Sequence, residues 1–286
     1  MSSRTRGIVE RSLPSTGLRA GFWTLLMAVA AFCLLPFLWQ LLTSLKPASE
    51  LSTLPPLFPT KLVLDHYIAI FRDRPFGRFI LNSVIVASLT TFLCLLIGAL
   101  TAFAIAKLQF KGKSLLLFLA LSISMFPPIA TVSPLYLIIR GLGWRDTYVG
   151  LVIPYTTFAL PLAIWILWSV FREIPDELYW AAQVDGCTPV QAFVRILLPL
   201  AAPGIGTAGI LVFIFAWNEF LYAFTFTSRE AMRTIPVAIA LFPGLHEVPW
   251  GEMAAATIVV TSPLILLVLL FQRRIVSGLT AGSVKG

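Results

Sequence analysis

Six long apolar runs constrain the fold of this chain more than any other feature of its sequence. A helix that crosses a bilayer core about 30 Å thick needs about 20 predominantly apolar residues. Runs of about that length lie near residues 21–45, 79–106, 115–139, 148–170, 203–224 and 253–271. Because a segment inside the bilayer must satisfy its backbone hydrogen bonds internally, such runs are expected to be helices. The sequence therefore predicts an all-α polytopic membrane protein with six transmembrane helices.

The composition supports this fold class and argues against a soluble protein. Hydrophobic residues make up 58% of the 286 residues and charged residues 12%, with a mean hydropathy of +0.90. The net charge of +8 is carried by short basic clusters between the apolar runs, a pattern that anionic lipid explains better than nucleic acid. We therefore expect contact with membrane lipid and none with nucleic acid.

The distribution of Lys and Arg predicts the orientation of the chain. An inside N-terminus puts twelve of the 21 basic residues on the inner side, as the positive-inside rule favours. These are Arg4, Arg6, Arg11, Arg19, Lys107, Lys111, Lys113, Arg172, Arg195, Arg273, Arg274 and Lys285. The first apolar run is too long for a signal peptide, so we expect an uncleaved span.

The expected organisation follows from these spans and this orientation. A cytoplasmic segment 1–20 precedes a six-helix membrane domain 21–271, and a cytoplasmic tail 272–286 follows it. Two outer loops, 46–78 and 225–252, are long enough to pack as small caps or to dip toward a pathway, although each could equally be a passive connector.

Residues that carry chemistry are too few and too scattered for catalysis. The cysteines and histidines are Cys33, Cys94, Cys187, His66 and His246, with no CxxC pair and no metal-ligand spacing. The phosphate-loop lookalike Gly112-Lys113-Ser114 has Lys107 where that motif needs its first glycine. We expect no catalytic residue, no metal site and no cofactor bound by this chain.

The loop between the fourth and fifth runs, residues 171–200, begins with a predicted short helix. Pro175 suits the first helical position. Asp176 and Glu177 complement the positive end of the helix dipole, and Gly186 can close the helix in the left-handed conformation. The pattern therefore predicts a helix of about ten residues with both ends marked.

A second helix, which runs to about Leu198-Pro199, is expected directly after the first. Thr188 can be its N-cap, Pro189 its first residue, and Gln191 the partner of Thr188 in a capping box. The two predicted helices together form a helical hairpin.

One face of the first short helix is expected to meet another protein. Leu178, Ala181, Ala182 and Asp185 recur at helical spacing and present two methyl-sized side chains beside an acid. The loop carries four acids and only two arginines, although it is assigned to the cytoplasmic side of a basic protein. An acidic hairpin with small side chains on its face is typical of a docking surface.

The string from Glu177 to Gly186, followed by Ile196-Leu197-Leu198-Pro199, resembles the EAA loop of binding-protein-dependent ABC importer permeases. Further similarity to the carbohydrate branch, and to the smaller permease of maltose-type importers, lies in four other places. These are Ser44-Leu45-Lys46-Pro47, Asn82-Ser83, Trp217-Asn218-Glu219-Phe220 and the C-terminal residues 278–286. The resemblance covers nearly the whole chain from about Gly21.

This resemblance implies a type I ABC importer permease fold and a set of partners. The chain would pair with a second permease subunit, dock on two ATP-binding subunits and receive a sugar from an extracytoplasmic sugar-binding protein. ATP and Mg would be bound by the partner subunits. The expected substrate is a disaccharide or related glycoside, and the expected location is the bacterial or archaeal inner membrane.

The resemblance also assigns the coupling role to particular residues. They are Glu177, Leu178, Trp180, Ala181, Ala182, Asp185, Gly186, Ile196 and Pro199. The glutamate that names the motif is replaced here by Trp180, so its usual ion pair with the ATPase is absent or is supplied by Glu177 or Asp185. The tryptophan could pack in the same groove as an interface anchor.

Polar residues inside the apolar runs are the candidates for a substrate pathway. Trp217, Asn218, Glu219 and Tyr222 offer hydroxyl-binding groups and a stacking face for a sugar ring. Tyr155, Thr156 and Thr157 could line a cavity beside the prolines of the fourth run, although Ser and Thr more commonly bridge helices in membranes. The alternative is that Glu219 and Tyr222 only anchor their helix, and that Asn82 and Ser83 cap the second helix.

Two other functional classes fit the sequence less well than an importer. An ion-gradient-driven secondary transporter would need a central acid pair or internal repeats, and neither is visible in the sequence. A membrane-embedded enzyme would need a constellation of His, Cys or paired carboxylates within the membrane.

Overall fold

The computed structural model describes residues 16–51, 56–242 and 248–280, with side chains described for 20–51, 56–242 and 248–272. Helices account for the regular structure in these ranges. The first seven are α1 (Thr16–Ser44), α2 (Ala48–Leu51), α3 (Asp65–Arg72), α4 (Phe76–Lys107), α5 (Lys113–Ser124), α6 (Pro128–Gly141) and α7 (Tyr148–Glu173). The others are α8 (Asp176–Val184), α9 (Pro189–Ala192), α10 (Leu198–Asn218), α11 (Leu221–Phe226), α12 (Ile235–Ala240) and α13 (Trp250–Thr280). The all-α prediction is confirmed.

Five helical stretches of the described residues are long and apolar enough to cross a membrane, and a bent pair raises the number to six. The five are Ala20–Ser44, Phe76–Lys107, Tyr148–Glu173, Pro189–Asn218 and Trp250–Gln272. The predicted third run is the pair α5 and α6, which meet at an angle of 92°.

The break between α5 and α6 has a local cause. A proline disfavours the helical conformation of the residue before it, and Pro127, which precedes Pro128, is extended with φ −64° and ψ 125°. Pro128 then occupies the start of α6, where the missing N–H has no cost. The break predicted from the prolines of this run is therefore present.

The predicted bounds of the fifth run, 203–224, are wrong at both ends. The helix is continuous from Pro189 to Asn218, with a widened π-helical turn over Phe193–Leu197. This turn directly precedes Pro199, which has no N–H to donate to the carbonyl of the preceding turn. The helix ends at Asn218 because the next residue, Glu219, is extended, and α11 begins separately at Leu221.

The chain divides into two compact units, and the smaller contains residues 1–70 and 249–258. Within it, the chain after α1 folds back on the end of that helix. The buried Lys46 ammonium donates a hydrogen bond of 2.6 Å to the Pro56 carbonyl and lies over the Trp39 ring. The Ser44 and Tyr67 hydroxyls are 2.7 Å apart. The cap predicted for the first outer loop is thus a packed structure in its described part.

The larger unit contains residues 71–248 and 259–286. Its core is formed by α4, α7 and α10, which pack through small side chains. A Cβ atom at Gly98 of α4 would lie 3.3 Å from Leu167 and 3.4 Å from Ala163, both on α7. Close approach of this kind is the usual basis of helix packing in membranes, where apolar side chains gain little by leaving lipid.

Candidate functional site

Both helices predicted in the 171–200 loop are present, the first as α8 and the second beginning with α9. The predicted end of the second near Leu198-Pro199 is wrong, because the helix continues to Asn218. Pro175 is the N-cap of α8 and not its first residue, so the predicted start is one position early. Gly186 follows α8 with φ +86°, the left-handed conformation expected of it. The capping box is also present, because Thr188 Oγ1 accepts from the Gln191 amide and the Gln191 side chain accepts from the Thr188 amide.

One face of α8 is packed against the rest of its unit. Tyr179 is 5% exposed and Ala182 is 2% exposed. The Tyr179 ring lies 5.9 Å from the Phe103 ring of α4, and the Phe103 ring lies 4.8 Å from that of Phe193. The prediction that Ala182 belongs to the accessible face is therefore wrong, since this methyl group is covered by the chain itself.

The exposed face of α8 consists of Glu177, Trp180, Ala181 and Val184. Their spacing of three and four residues places them together on one side of the helix. Trp180 is 51% exposed and Val184 is 88% exposed. Val184 was not singled out from the sequence, although its spacing from Trp180 would have identified it once the buried face was known.

The remaining coupling candidates occupy different positions. Leu178, Asp185 and Gly186 are exposed beside this face. Ile196 is partly buried and packs against the core cluster that contains Phe103. Pro199 is exposed at the beginning of α10. The structure therefore brings most of the predicted coupling residues to one exposed surface and assigns Ala182 and Ile196 to packing.

Lys107, which the sequence placed in a basic flank, has a more specific environment. It is the last residue of α4, and its side chain is 2% exposed. The ammonium lies 2.5 Å from the Ile174 carbonyl and 2.5 Å from the Asp176 carboxylate. A buried lysine is rare unless it is paired, as it is here.

The predicted pathway residues of the fifth run surround the end of α10. Trp217 is buried and stacks on Phe213 at 5.6 Å, while Asn218 is exposed and donates to the Ile214 carbonyl. The Glu219 carboxylate accepts hydrogen bonds from the Tyr222 and Ala223 amides at 2.9 and 3.2 Å. Glu219 therefore satisfies the first N–H groups of α11.

Tyr155 and Tyr222 belong to a buried group next to Glu219. The Tyr155 hydroxyl is buried and has no hydrogen-bond partner of standard geometry among the described residues. The Tyr222 hydroxyl is 2.8 Å from that of Thr131, and its ring stacks on Phe158 at 5.1 Å. Of the six predicted pathway residues, Asn218 is the one with an exposed side chain.

A cleft of about 470 Å³ lies between α4, α5 and α7. Thr156 and Thr157 are in its wall, as predicted, and Tyr155 is not. The other lining residues are apolar, and the Thr157 hydroxyl donates to the Ile153 carbonyl. Since sugar recognition needs several convergent polar groups, this cleft is poorly suited to a sugar.

Asn82 and Ser83 do not cap α4, which begins at Phe76, so that interpretation is wrong. Both are buried, and they hold the segment that contains α12. The Asn82 side-chain amide donates to the Ala231 and Arg233 carbonyls, each at 2.9 Å. The Ser83 hydroxyl accepts from the Ile235 amide at 2.9 Å. We call residues 228–242 the latched segment.

A second set of hydrogen bonds holds the start of the latched segment. Asp146, between α6 and α7, accepts from the Ser228 amide and hydroxyl at 2.6 Å and from the Arg229 amide at 2.8 Å. Asp146 was not a candidate from the sequence, because its partners are more than 80 residues away. Residues 243–247 of the predicted outer loop lie outside the described residues.

Among the described residues, no group of three or more His, Cys, Asp and Glu side chains is arranged to hold a metal ion. The arginines and lysine predicted at both termini, and most of the C-terminal motif, lie outside the described side chains.

Comparison with known proteins agrees with this architecture. The family described as binding-protein-dependent transport system inner membrane component matches residues 94–280. The trehalose transport system permease protein SugB of Mycobacterium tuberculosis is 50% identical over 271 residues, which cover 94% of this chain and 98% of that protein. The trehalose/maltose transport system permease protein MalG of Thermococcus litoralis is 43% identical, over 90% of this chain and 94% of that protein.

Solved structures show the same fold at lower identity. A chain of a bacterial ABC transporter involved in the import of the acidic polysaccharide alginate has a TM-score of 0.75 and 19% identity, covering 96% of this chain and 98% of that one. A bacterial alginate ABC transporter in complex with an alginate pentasaccharide-bound periplasmic protein gives a TM-score of 0.66 at 18% identity, covering 89% and 94%. Together with the matched residues and the high identity to the curated relatives, these findings show that the chain belongs to the family of inner membrane components of binding-protein-dependent transport systems.

Proposed function

We propose that this chain is a permease subunit of an ATP-driven sugar importer, and that the exposed face of α8 couples it to a separate ATPase subunit. The observation that carries the proposal is the mounting of α8. Tyr179 and Ala182 fix one side of the helix to the core, while Trp180 and Val184 leave apolar surface open on the other. A firmly held helix with an uncovered apolar face is suited to receive force from a partner.

The exposed face has the composition of an interface centre with a polar rim. Trp180 is the residue type that most often anchors interfaces, and Val184 extends the apolar surface beside it. Glu177 and Asp185 supply exposed acids near this surface. We infer that the ATPase presents an apolar groove bordered by basic residues, and that Trp180 occupies that groove where other members of the family have a carboxylate.

A sugar is the proposed substrate because of the relatives. Two relatives at 50% and 43% identity are described as permeases for trehalose and for trehalose and maltose. Trehalose is therefore the first substrate to test. The alginate transporter in complex with a periplasmic protein supports delivery of the sugar by an external binding protein. Asn218, with its exposed amide at the end of α10, is the favoured pathway contact.

The proposed mechanism is alternating access driven from outside this chain. Two ATP-binding subunits would hydrolyse ATP with Mg, and their closure would move α8 and tilt the spans of this chain and of a second permease. This chain would supply the pathway and the docking surface and no catalytic group.

The test compares two proline substitutions in vesicles that contain this chain, its companion permease, the ATPase and the binding protein. Gly186 and Gly143 both have positive φ, open space around a Cβ atom and an amide that donates one backbone hydrogen bond. Proline removes that bond and cannot adopt positive φ, so Gly186→Pro and Gly143→Pro impose the same local damage. Only Gly186 adjoins α8.

We expect Gly186→Pro to lower binding-protein-stimulated ATP hydrolysis and trehalose uptake by at least about fivefold, the lower end of typical coupling effects. Gly143→Pro should retain most of both. Equal losses in the two variants would contradict the coupling role of α8. Uptake that needs no ATPase and follows an ion gradient would instead identify a secondary transporter.

A further inference from the structure

Lys107 joins three helices through one ammonium group. It ends α4, it donates to the carbonyl of Ile174 at the end of α7, and it pairs with Asp176, the first residue of α8. Its side chain is 2% exposed, whereas that of Asp176 is 54% exposed. The lysine is thus fixed in the protein, and the acid extends from α8 to meet it.

A second contact joins α4 to α8 one turn earlier. The Phe103 ring packs edge-on against the Tyr179 ring at 5.9 Å. The chain does not connect α4 directly to α8, so these two side-chain contacts link α4 to a movement of that helix. The aromatic contact can slide, because dispersion contacts have little directionality. The charge-assisted bonds of Lys107 define a distance and a direction.

The other end of α4 is attached to the latched segment. Asn82 holds the Ala231 and Arg233 carbonyls, and Ser83 holds the Ile235 amide. The helix between these attachments belongs to a continuous run of 32 residues, about 48 Å long at 1.5 Å per residue. A single helix therefore carries a polar anchor at each end.

We propose that α4 transmits movement between α8 and the latched segment, and that Lys107 is the positioning residue that fixes α4 to α8. This proposal rests on the proposed function, in which α8 receives the movement of the ATPase. Without the Lys107 ammonium, α8 stays mounted through Tyr179 and Phe103, but its displacement is no longer transferred rigidly to α4. The relevant measurement is therefore how strongly ATP hydrolysis is coupled to the binding protein and to transport, and not whether the complex assembles.

The test measures trehalose imported per ATP hydrolysed, and stimulation of hydrolysis by the binding protein, in reconstituted vesicles. Lys107→Met keeps the apolar stem and removes the charge. We expect it to co-purify with the ATPase in wild-type ratio and to lose at least about fivefold in stimulation. Lys107→Arg should retain most of the stimulation. Lys111→Met removes an exposed charge from the same loop and should behave as wild type.

A double-substitution cycle decides whether Lys107 acts through Asp176. Asp176→Ala removes the half-exposed partner and leaves the buried Lys107 ammonium with the Ile174 carbonyl, so co-purification with the ATPase is measured for this variant as well. If the pair acts as one unit, Lys107→Met combined with Asp176→Ala loses no more stimulation than the worse single variant. A combined loss equal to the product of the single losses would overturn the proposal.

The remaining outcomes are also decisive. If Lys107→Met keeps wild-type stimulation of ATP hydrolysis and imports as much trehalose per ATP as wild type, the proposal is overturned. If Lys107→Met does not assemble, wild-type stimulation of hydrolysis in Asp176→Ala overturns it instead. Failure of the proposed function looks different, because the wild-type protein itself would then import trehalose without the ATPase or not at all.

Discussion

Asp146 adopts φ +56°, which non-glycine residues seldom do, and its hydrogen bonds explain why the conformation persists. Its carboxylate receives three hydrogen bonds from Ser228 and Arg229, and its own amide donates to the Phe226 carbonyl. Aspartate tolerates the left-handed region better than most residues. The unusual backbone therefore places a carboxylate where it can hold the beginning of the latched segment.

The pKa of Asp146 predicts how this contact responds to acid. Partial burial raises the pKa, but the hydrogen bonds from Ser228 and Arg229 outweigh it and hold the pKa below the ordinary value of 3.8. The pKa of this carboxyl is therefore lower in the folded protein than in the unfolded chain. Its stabilisation of the fold is complete above about pH 3.8 and is lost as the pH falls through the pKa of the folded protein.

We expect Asp146→Asn, which also tolerates positive φ, to lower the Tm of the detergent-solubilised protein near neutral pH. The difference from wild type should shrink as the pH falls below about 3.8, because the wild-type carboxyl then becomes neutral as well. Thermal scans of both proteins across that range make the measurement. A difference in Tm that stays constant would show that the charge of Asp146 does not stabilise the contact.

Single residues were predictable from the sequence where their partners are close along the chain. Gly186, Thr188 and Gln191 mark helix ends through contacts within a few residues, and all three have the predicted roles. Asn82 was misassigned as a helix cap, and the pairing of Lys107, which was predicted as part of an inside basic flank, was missed. Their partners lie 149 and 67 residues away in the chain, a separation that no local pattern encodes.

At the scale of elements, the bend between α5 and α6 is the feature that depends most directly on sequence. Pro128 excludes Pro127 from the helical conformation, so a pair of helices replaces one straight span. We expect Pro127→Ala combined with Pro128→Ala to straighten the segment. Spin labels at Ser114 and Arg140 measure this, since about 28 Å separates these positions at a right-angle bend and about 39 Å in a straight helix.

The labelling requires a background in which the exposed Cys33 and the half-buried Cys187 are replaced by Ser. A second label pair within α5, at Ser114 and Ser124, is the control and should keep a distance of about 15 Å in both proteins. An unchanged distance between Ser114 and Arg140 would mean that packing of α5 and α6 against neighbouring helices, and not the prolines, maintains the bend.

The hydrophobic pattern was sufficient to locate the membrane spans but not to predict which face of a short helix is exposed. The apolar runs located the spans because length and polarity are properties of the sequence alone. The exposed face of α8 was predicted one residue out of place, as Leu178, Ala181, Ala182 and Asp185. From the local sequence, Tyr179 could face either water or protein. It is buried because it contacts the Phe103 ring of α4, which lies in a distant part of the chain. That burial rotates the open face to Trp180 and Val184.

At the scale of the whole molecule, the orientation in the membrane remains a prediction from the positive-inside rule. Glu230 in the latched segment and Lys111 in the loop before α5 are both exposed. The predicted orientation places them on opposite sides of the membrane. In the same background without Cys33 and Cys187, we expect a membrane-impermeant maleimide to label Glu230→Cys in right-side-out vesicles. Lys111→Cys should react only after permeabilisation. The reverse pattern would place the termini outside and would remove α8 from the reach of a cytoplasmic ATPase.

The smaller unit has a consequence for the order in which the protein is made. It combines residues near the start of the chain with 249–258, and Gly251 approaches the His66 ring so closely that a Cβ atom would lie 2.3 Å from it. At typical synthesis rates, a ribosome needs roughly 10–40 s to make the residues between these two. The α1 helix therefore reaches the membrane first, while the unit to which it belongs is completed among the last.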